Sequence, residues 1–217
     1  MCGKFTQMAT WPEVVAFSQP LVYAASERIV STPMRMARII RLNGQGAREN
    51  VAMRWGFSKK GATTPARPDH MHARAETIDT RATFAHAFAH QRGVLLVHTF
   101  NEGEALASGK TRQWTVTPKD GAPLALAVVC EQWTNGDQSL WTFVQITVPA
   151  NPLIAQITDR MPAILRPEDW GLWLGETEAS LADVKALLKT YDDAGGWDFA
   201  PEQKPAKPKS ATRDLLG

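Results

Sequence analysis

The sequence predicts a mixed α+β fold made mostly of antiparallel strands, with helices at the periphery. Short segments rich in β-branched and aromatic residues recur between residues 35 and 148, and turn residues separate them. Two other segments, 80–93 and 179–191, have the pattern of helices. The chain has 217 residues without an internal repeat, and 44% of them are hydrophobic, which is enough for one domain with a buried core.

The first third of the chain is predicted to contain one short helix and two strands. The helix is at 11–18, where Pro12 takes an early helical position. Strands are predicted at 35–42, where Ile and Arg alternate in part, and at 51–57, which carries aromatic residues suited to a core. Gly, Pro, Thr and charged residues then indicate a loop at 58–70.

The middle of the chain combines a helix with the main strands. The helix is predicted at 80–93, with an apolar stripe that includes Phe84 and Phe88, and Gly93 is a natural stop. An apolar, buried strand follows directly at 93–100. Further strands are predicted at 112–118, 123–130 and 140–148.

The last part of the chain is predicted to be helical and then to lose its order. A short helix begins in 167–175, and a second helix covers 179–191. The end of the chain is rich in Pro and Lys, which is typical of a disordered segment. We therefore predict a single domain at 1–198 and a disordered tail at 199–217.

Several common classes of protein are excluded by composition and motifs. No apolar run approaches the ~20 residues that span a bilayer, and residues 1–13 lack the apolar core of a secretory signal. Two cysteines do not make a disulfide framework. The chain has no HExxH, P-loop, GxSxG or CxxC motif. We expect a cytoplasmic, monomeric protein with reduced thiols, without a cofactor, a bound metal or a membrane partner.

Positive charge is concentrated at the start of the chain. Residues 1–74 hold eleven Lys and Arg against four Asp and Glu, a net +7, while the whole chain is only +2. Such a distribution is typical of a phosphate-binding face. On charge alone, an arginine-rich solvated surface is the favoured interpretation.

The opening MCGKF places Cys2 one cleavage away from the N-terminus. An N-terminal cysteine carries a thiol and an α-amine on adjacent carbons. The amine has a pKa of about 7.7–8.0, so a useful fraction is neutral at pH 7 and attacks aldehydes. The neighbouring thiol then closes a five-membered ring on the imine, and because this step is intramolecular it loses little translational or rotational entropy. Cys130, in contrast, ends an apolar strand and is predicted to be an inert core thiol.

The segment HARAE, residues 72–76, alternates His72, Arg74 and Glu76. In an extended chain these side chains point to one face, and three polar groups on one face predict the lining of a cleft. An exposed edge strand is the alternative.

Polar residues also follow the predicted strand at 93–100. Glu102 and Glu104 are candidate acid/base groups there, and a solvated loop is the alternative. His86 and His90 have the i, i+4 spacing of metal ligands, but a helix surface explains the pair better because no third ligand is evident. Arg160 and its neighbour Asp159 are typical of a local ion pair.

These segments, in this order, resemble the SOS response-associated peptidase (SRAP) domain family, whose members process abasic sites in DNA. The resemblance extends over residues 1–170. It rests on MCGKF, RWGF (54–57), HARAET (72–77), FNEGE (100–104), AVVCEQW (127–133), TFVQITVPAN (142–151) and TDRMPAIL (158–165).

The resemblance implies a compact, barrel-like β fold that binds single-stranded DNA in a basic groove. It implies a DNA-repair enzyme that loses Met1 by self-processing or to an aminopeptidase. The freed Cys2 then forms a thiazolidine crosslink with the aldehyde of an abasic site, with lyase-like reversal. Glu102 is the implied acid/base group, and Arg74 the implied phosphate ligand. Further candidates for contact with DNA are Lys4, Arg35, Arg38, Trp55 and Arg160.

Two replacements depart from the family pattern at the implied site. His72 stands where the family has Asn, and Thr158 stands where it has the His that assists imine formation. We favour a compensated exchange, in which His72 supplies the missing imidazole. The alternative is a non-covalent single-stranded DNA-binding module that has lost the chemistry. A cysteine peptidase acting on other proteins, with His72 or His98 as its base, is a third and weaker hypothesis.

Overall fold

The computed structural model describes residues 3–7, 30–58, 61–65, 68–192 and 194–202. The predicted helix at 11–18 and the residue Cys2 therefore lie outside the described residues. Within the described ranges, no helix is long and apolar enough to cross a membrane.

The described residues form a sheet of twelve strands and three short α-helices. The strands are β1 (Lys4–Gln7), β2 (Val30–Ser31), β3 (Met36–Leu42), β4 (Arg48–Trp55), β5 (His72–Arg74), β6 (Arg92–Ala105), β7 (Thr111–Pro118), β8 (Leu124–Asn135), β9 (Gln138–Pro149), β10 (Arg160–Pro162), β11 (Ile164–Leu165) and β12 (Trp197–Pro201). The helices are α1 (Ala85–His90), α2 (Trp170–Leu174) and α3 (Leu181–Ala186). Single 3₁₀ turns occur at Ala75–Thr77, Ile154–Gln156, Pro167–Asp169 and Ala194–Gly196.

Five strands close into a ring. In order around it they are β6, β8, β9, β4 and β3, and β3 returns to β6 through the pair Ile40 and Val94. Only the contact between β4 and β9 is parallel in this ring; the other four are antiparallel. The sheet-dominated, mostly antiparallel and barrel-like fold predicted from the sequence is confirmed.

Two strands of the ring, β6 and β8, contain segments in which every residue is buried. Residues 93–97 of β6 and 124–130 of β8 are all buried, as expected for strands covered on both faces. Helix α2 packs against β6, where the indole N–H of Trp173 donates to the carbonyl of Gly93 at 2.8 Å. Burial of such large aromatic side chains is the main source of stability in a domain of this size.

The second half of β6 leaves the ring and supports a smaller sheet. Strand β1 pairs with it on one side and β7 on the other, and β12 adds to β7. Strand β6 thus connects the barrel to β1, and through β7 to β12, the last described strand.

Several predicted boundaries are wrong for reasons that the pairing explains. The helix predicted at 80–93 is only Ala85–His90, because Arg92 already pairs with Val129 in the sheet. The helix predicted at 179–191 is only Leu181–Ala186. Strand β6 continues to Ala105, so the acidic residues after 100 lie within a strand and not in a loop.

Two further predictions need correction. The segment HARAE is not extended throughout, because Glu76 lies in the 3₁₀ turn after β5 and only His72 and Arg74 share a strand face. The predicted domain boundary at 198 is too early. Strand β12 runs to Pro201, and Phe199, Ala200 and Pro201 pair with β7.

Gly56 shows why the RWGF segment contains a glycine. Its φ angle is +105°, and a Cβ atom added there would lie 2.5 Å from Cγ of Pro68 and 2.7 Å from Sδ of Met71. Its N–H donates to the carbonyl of Phe143 at 2.7 Å, so the backbone cannot move away without losing a bond. Both the conformation and the space at this position require glycine.

We expect Gly56→Ala to lower the free energy of unfolding by about 2–4 kcal/mol, from backbone strain and overpacking together. Gly46→Ala is the matched control, since Gly46 also has positive φ, +77°, but nothing lies within 4 Å of the position that its Cβ atom would take. It should cost only about 1 kcal/mol, from the left-handed backbone conformation alone. Urea denaturation of the three proteins measures both values, and equal costs at the two positions would refute the packing argument.

Candidate active site and nucleic-acid interface

Glu102 is fully buried at the point where β6 is flanked by β1 and β7, with 0% of its surface exposed. In the ladder with β1, Lys4 is opposite Asn101. Because these strands are antiparallel, one further step along each leads to Gly3 and Glu102. Strand β1 therefore directs the start of the described chain toward this carboxyl group, and Gly3 directly follows Cys2 in the sequence.

Strand β1 is held in this register by contacts on both of its faces. Phe5 is fully buried and packs against Trp55, with ring centroids 5.1 Å apart. The side-chain amide of Gln7 bonds the backbone of Arg38 twice, donating to its carbonyl at 2.6 Å and accepting from its N–H at 3.0 Å. Lys4 forms an ion pair with Glu202 at the end of the described chain. These contacts fix the position from which the N-terminal residues extend.

His72 is brought to the same region through Trp55. The imidazole of His72 is half-buried and meets the indole edge-on, with centroids 5.7 Å apart and an interplanar angle of 89°. The same indole contacts Phe5 of β1. One aromatic ring thus separates β1 from the imidazole.

Trp55 itself is not available to DNA in this structure. Its side chain has 0% exposure, and its indole N–H donates to the carbonyl of Met71 at 3.0 Å. It also stacks on Phe143 at 6.2 Å. The structure gives Trp55 the core position that its apolar surface allows, and its predicted contact with DNA stays a prediction.

Arg160 is likewise committed to the fold. It is 8% exposed, and its guanidinium donates to both oxygens of Glu76, at 2.5 and 2.9 Å, and to the carbonyl of Thr147 at 2.6 Å. The bond from Arg160 holds the pKa of Glu76 below its usual range. A guanidinium occupied in this way would have to release a partner before it bonds a phosphate, and the predicted contact of Arg160 with DNA stays a prediction.

Thr158 lies beyond the C-terminal end of β9. Its N–H donates to the carbonyl of Ile154 at 3.1 Å, directly after the 3₁₀ turn Ile154–Gln156. His72, in comparison, lies beside Gln145 in the middle of β9. His72 therefore lies on a strand that pairs with β9, whereas Thr158 follows the turn after β9 and is not part of a strand.

The structure divides the arginines of the first third into engaged and exposed groups. Arg41 is bonded to Glu49 and stacked on Trp141, Arg48 is bonded to Glu176, and Arg54 is bonded to Pro65 and Ser58. The exposed residues are Arg35, Arg38 and Arg74. Only such exposed side chains can exchange water for phosphate without first losing a partner. These three were predicted as candidate phosphate ligands, and their exposure is compatible with that role.

Trp114 is a neighbour of the candidate site that the sequence did not reveal. It is directly opposite Glu102 in the ladder of β6 and β7. Its indole N–H donates to Oε2 of Glu104 at 2.8 Å, and Arg112 lies 3.6 Å from the same oxygen. Glu104, predicted as a possible acid/base group, is thus a partner of Trp114 and Arg112. Only the register of the hairpin, which the sequence does not specify, could have identified Trp114.

The other titratable candidates lie apart from Glu102. His86 and His90 are adjacent on α1, with ring centroids 4.9 Å apart. No group of three or more metal-ligating side chains occurs within the part of the chain that the structure describes. Cys130 is fully buried, and burial raises the pKa of its thiol to about 12. The prediction of an inert core thiol at this position agrees with that environment.

The fold and the site together define a barrel-like protein whose first strand leads toward a buried glutamate. The family model "SOS response associated peptidase (SRAP)" matches residues 1–201, and the chain belongs to this family. Abasic site processing protein YoaM of Bacillus subtilis is 26% identical over 221 residues, covering 100% of this chain and 97% of the relative. Abasic site processing protein YobE of the same organism is 25% identical over 201 residues, covering 88% of this chain and 90% of the relative.

Solved structures share the fold at lower sequence identity. A protein from Bordetella bronchiseptica superposes with a TM-score of 0.77 at 23% identity, covering 94% of this chain and 100% of that chain. A protein from Bacteroides thetaiotaomicron gives a TM-score of 0.74 at 21% identity, covering 93% of this chain and 92% of that chain. The architecture described above is therefore that of known proteins.

We expect Cys130 to be unreactive in the folded protein. With a pKa of about 12, about one thiol in ten thousand is ionised at pH 8, and burial excludes the reagent as well. In an assay with Ellman's reagent, native Cys2→Ala protein should show no thiol reaction. The thiol of Cys130 should react only after the protein is denatured. Native Cys130→Ala protein is the control, and its thiol should react at the same rate as the reactive thiol of the parent. Rapid reaction of native Cys2→Ala protein would contradict the assignment of Cys130 as unreactive.

Proposed function

We propose that this protein binds single-stranded DNA and forms a covalent thiazolidine crosslink with abasic sites through Cys2, once Met1 has been removed. The observation that carries this proposal is the register of β1 on β6, which directs the chain start toward the fully buried Glu102. Membership of the SRAP family and the names of the relatives support DNA abasic sites as the substrate. A cytoplasmic location, on DNA, goes with this function.

The chemistry uses the two groups that an N-terminal cysteine has on adjacent carbons. The neutral α-amine of Cys2 adds to the aldehyde carbon of the ring-opened abasic sugar, and loss of water gives an imine. The Cys2 sulfur then adds to the imine carbon, and the nitrogen takes up the thiol proton. One C–N bond and one C–S bond form, one water leaves, and no oxidant or reductant is needed.

Glu102 is the group that we assign to proton transfer. A carboxyl group positioned beside the amine removes a proton during addition and returns it to the departing hydroxyl. In this proposal the same group also serves hydrolysis of the bond between Met1 and Cys2, which would make the protein a peptidase toward itself. His72, one aromatic ring away from β1, is the second proton carrier in this proposal.

The first test is a denaturing gel of protein mixed with single-stranded DNA that carries one abasic site. We expect a shifted band from the parent and none from Cys2→Ala, and intact mass should show that Met1 is absent from the parent. Glu102→Gln keeps the size of the side chain but not its proton transfer, so it should slow crosslinking by about 10²–10⁴-fold. Crosslinking of Cys2→Ala at the parent rate would refute the proposal.

The role of His72 has its own matched variants. We expect His72→Asn, which introduces the residue typical of the family, to slow both formation and reversal of the crosslink. The double variant His72→Asn with Thr158→His should recover rate if the imidazole has been exchanged between the two positions. Time courses of the gel assay measure both, and parent rates in the single variant would show that His72 takes no part.

A non-covalent DNA-binding module is the second candidate function. The observation that favours it is Thr158, since a hydroxyl group does not shuttle protons at pH 7 as the replaced imidazole would. A parent protein that lacks Met1, binds single-stranded DNA and yet gives no shifted band would establish this function instead.

Both functions require exposed cations, and Arg74 provides a direct test. For single-stranded DNA each phosphate contact contributes about −0.7 to the slope of log affinity against log salt concentration. We expect Arg74→Gln to weaken binding to all sequences and to reduce the magnitude of the slope by about 0.7. Arg48→Gln is the control, because it removes the same charge from a guanidinium already bonded to Glu176 at 2.5 and 2.8 Å. Equal effects of the two substitutions would show that only net charge matters.

A further inference from the structure

The half-buried Trp114 faces the candidate site from the strand opposite Glu102. Residues directly opposite each other in an antiparallel ladder have their side chains on the same face of the sheet. The bond from the indole N–H to Oε2 of Glu104, at 2.8 Å, confirms that the face of Trp114 is the one shared by Glu104 and therefore by Glu102. Glu102 is buried, whereas Trp114 keeps part of its surface in solvent.

The orientation of this indole is fixed in advance. One side of the ring is stacked on Phe199 of β12, with centroids 4.6 Å apart and an interplanar angle of 23°. Its N–H is held by Glu104, whose other neighbour is the exposed Arg112. An aromatic ring that is already ordered loses little conformational freedom when a flat ligand stacks on it.

We propose that Trp114 is a stacking site for the nucleobase next to the abasic site. This proposal rests on the proposed function, because it takes the reacting sugar to be held beside Glu102. An abasic nucleotide has no base, so the adjacent base has lost one of its stacking partners and exposes an apolar face. Trp114 substitutes for the missing base. Arg112 places a cation beside the stacked base, where it can pair with the backbone phosphates of the same DNA strand.

This arrangement gives the protein a means to prefer abasic over intact strands. In intact DNA the adjacent base is already stacked, so it gains little from the indole. Next to a gap, stacking on an aromatic side chain is worth about 1–3 kcal/mol, and every base has a face that can use it. Purines have the larger face and should gain more than pyrimidines.

The experiment compares crosslinking on single-stranded DNAs whose abasic site is flanked on the 5′ side, the 3′ side or both by adenine or by thymine. For the parent we expect the DNA concentration at half-maximal rate to be lower with adenine on one or both sides. Trp114→Leu should raise that concentration about tenfold for adenine-flanked DNA, and should abolish the difference between adenine and thymine. Trp114→Phe keeps a stacking ring and should retain the difference.

Two controls separate stacking from a purely structural role of Trp114. Trp114 also anchors β12 through Phe199, so thermal unfolding of each variant shows whether the fold is intact under the assay conditions. Trp141→Leu removes another half-buried indole, one that lies under the guanidinium of Arg41 and away from Glu102. It should leave the flanking-base difference unchanged.

The outcomes are distinct from those that test the proposed function. If folded Trp114→Leu protein crosslinks with the same half-maximal concentration and the same flanking-base difference as the parent, the stacking site is refuted while crosslinking stands. The same holds if the parent does not distinguish adenine from thymine. Loss of the difference in Trp114→Leu together with its retention in Trp114→Phe and Trp141→Leu would establish the site.

Discussion

The burial of Phe5 sets the geometry of the whole candidate site. This one side chain on a four-residue strand lies in the core, packed on Trp55, and so determines which face of β1 turns inward. A slip of one residue would expose Phe5 and bury Lys4, which is far more costly than any surface contact could offset. Hydrophobic burial therefore fixes the register that directs the chain start toward Glu102. A reaction at an N-terminal amine needs such a constraint, because a free chain end would otherwise search a large volume.

Desolvation then decides which charged groups remain available for a ligand. Arg54 shows the principle: burial lowers the pKa of its guanidinium, and bonds to Pro65 and Ser58 compensate only part of the loss of water. Arg160 is compensated more fully, by a carboxylate and a carbonyl. Once such residues are committed, removing their partners is destabilising. Arg35, Arg38 and Arg74 are instead exposed to solvent, so a ligand could reach them without disturbing the core.

The sequence was sufficient for the parts of the fold that depend on local pattern. Alternating and continuous apolar segments predicted the strands around residues 36–42, 92–100, 111–118, 124–135 and 138–149, and the barrel-like class followed from the family resemblance. Properties that depend on pairing were not predictable in this way. Nothing in the segment FNEGE indicates that it continues a strand, because its extension is stabilised by hairpin pairing with β7 and not by its own residue pattern. The same is true of Trp114, whose place opposite Glu102 follows from hairpin register alone.

The availability of a side chain to a ligand was the property that the sequence predicted least well, because residue type does not identify the partners of a side chain in the fold. Trp55 and Arg160 were both reasonable candidates for contact with DNA by residue type, and both are inside the fold. The carboxylates around the site show the corresponding compensation. Glu104 is paired with the indole N–H and Arg112, Glu202 with Lys4, and Glu76 with Arg160. Three carboxylates that would repel a phosphate backbone are thus each balanced by a donor within the protein. Because these pairs cancel locally, the field that an approaching polyanion meets is set by the exposed arginines. Lys4 differs from these arginines because it is already paired with Glu202, the last described residue. A phosphate that bonded Lys4 would have to replace this carboxylate.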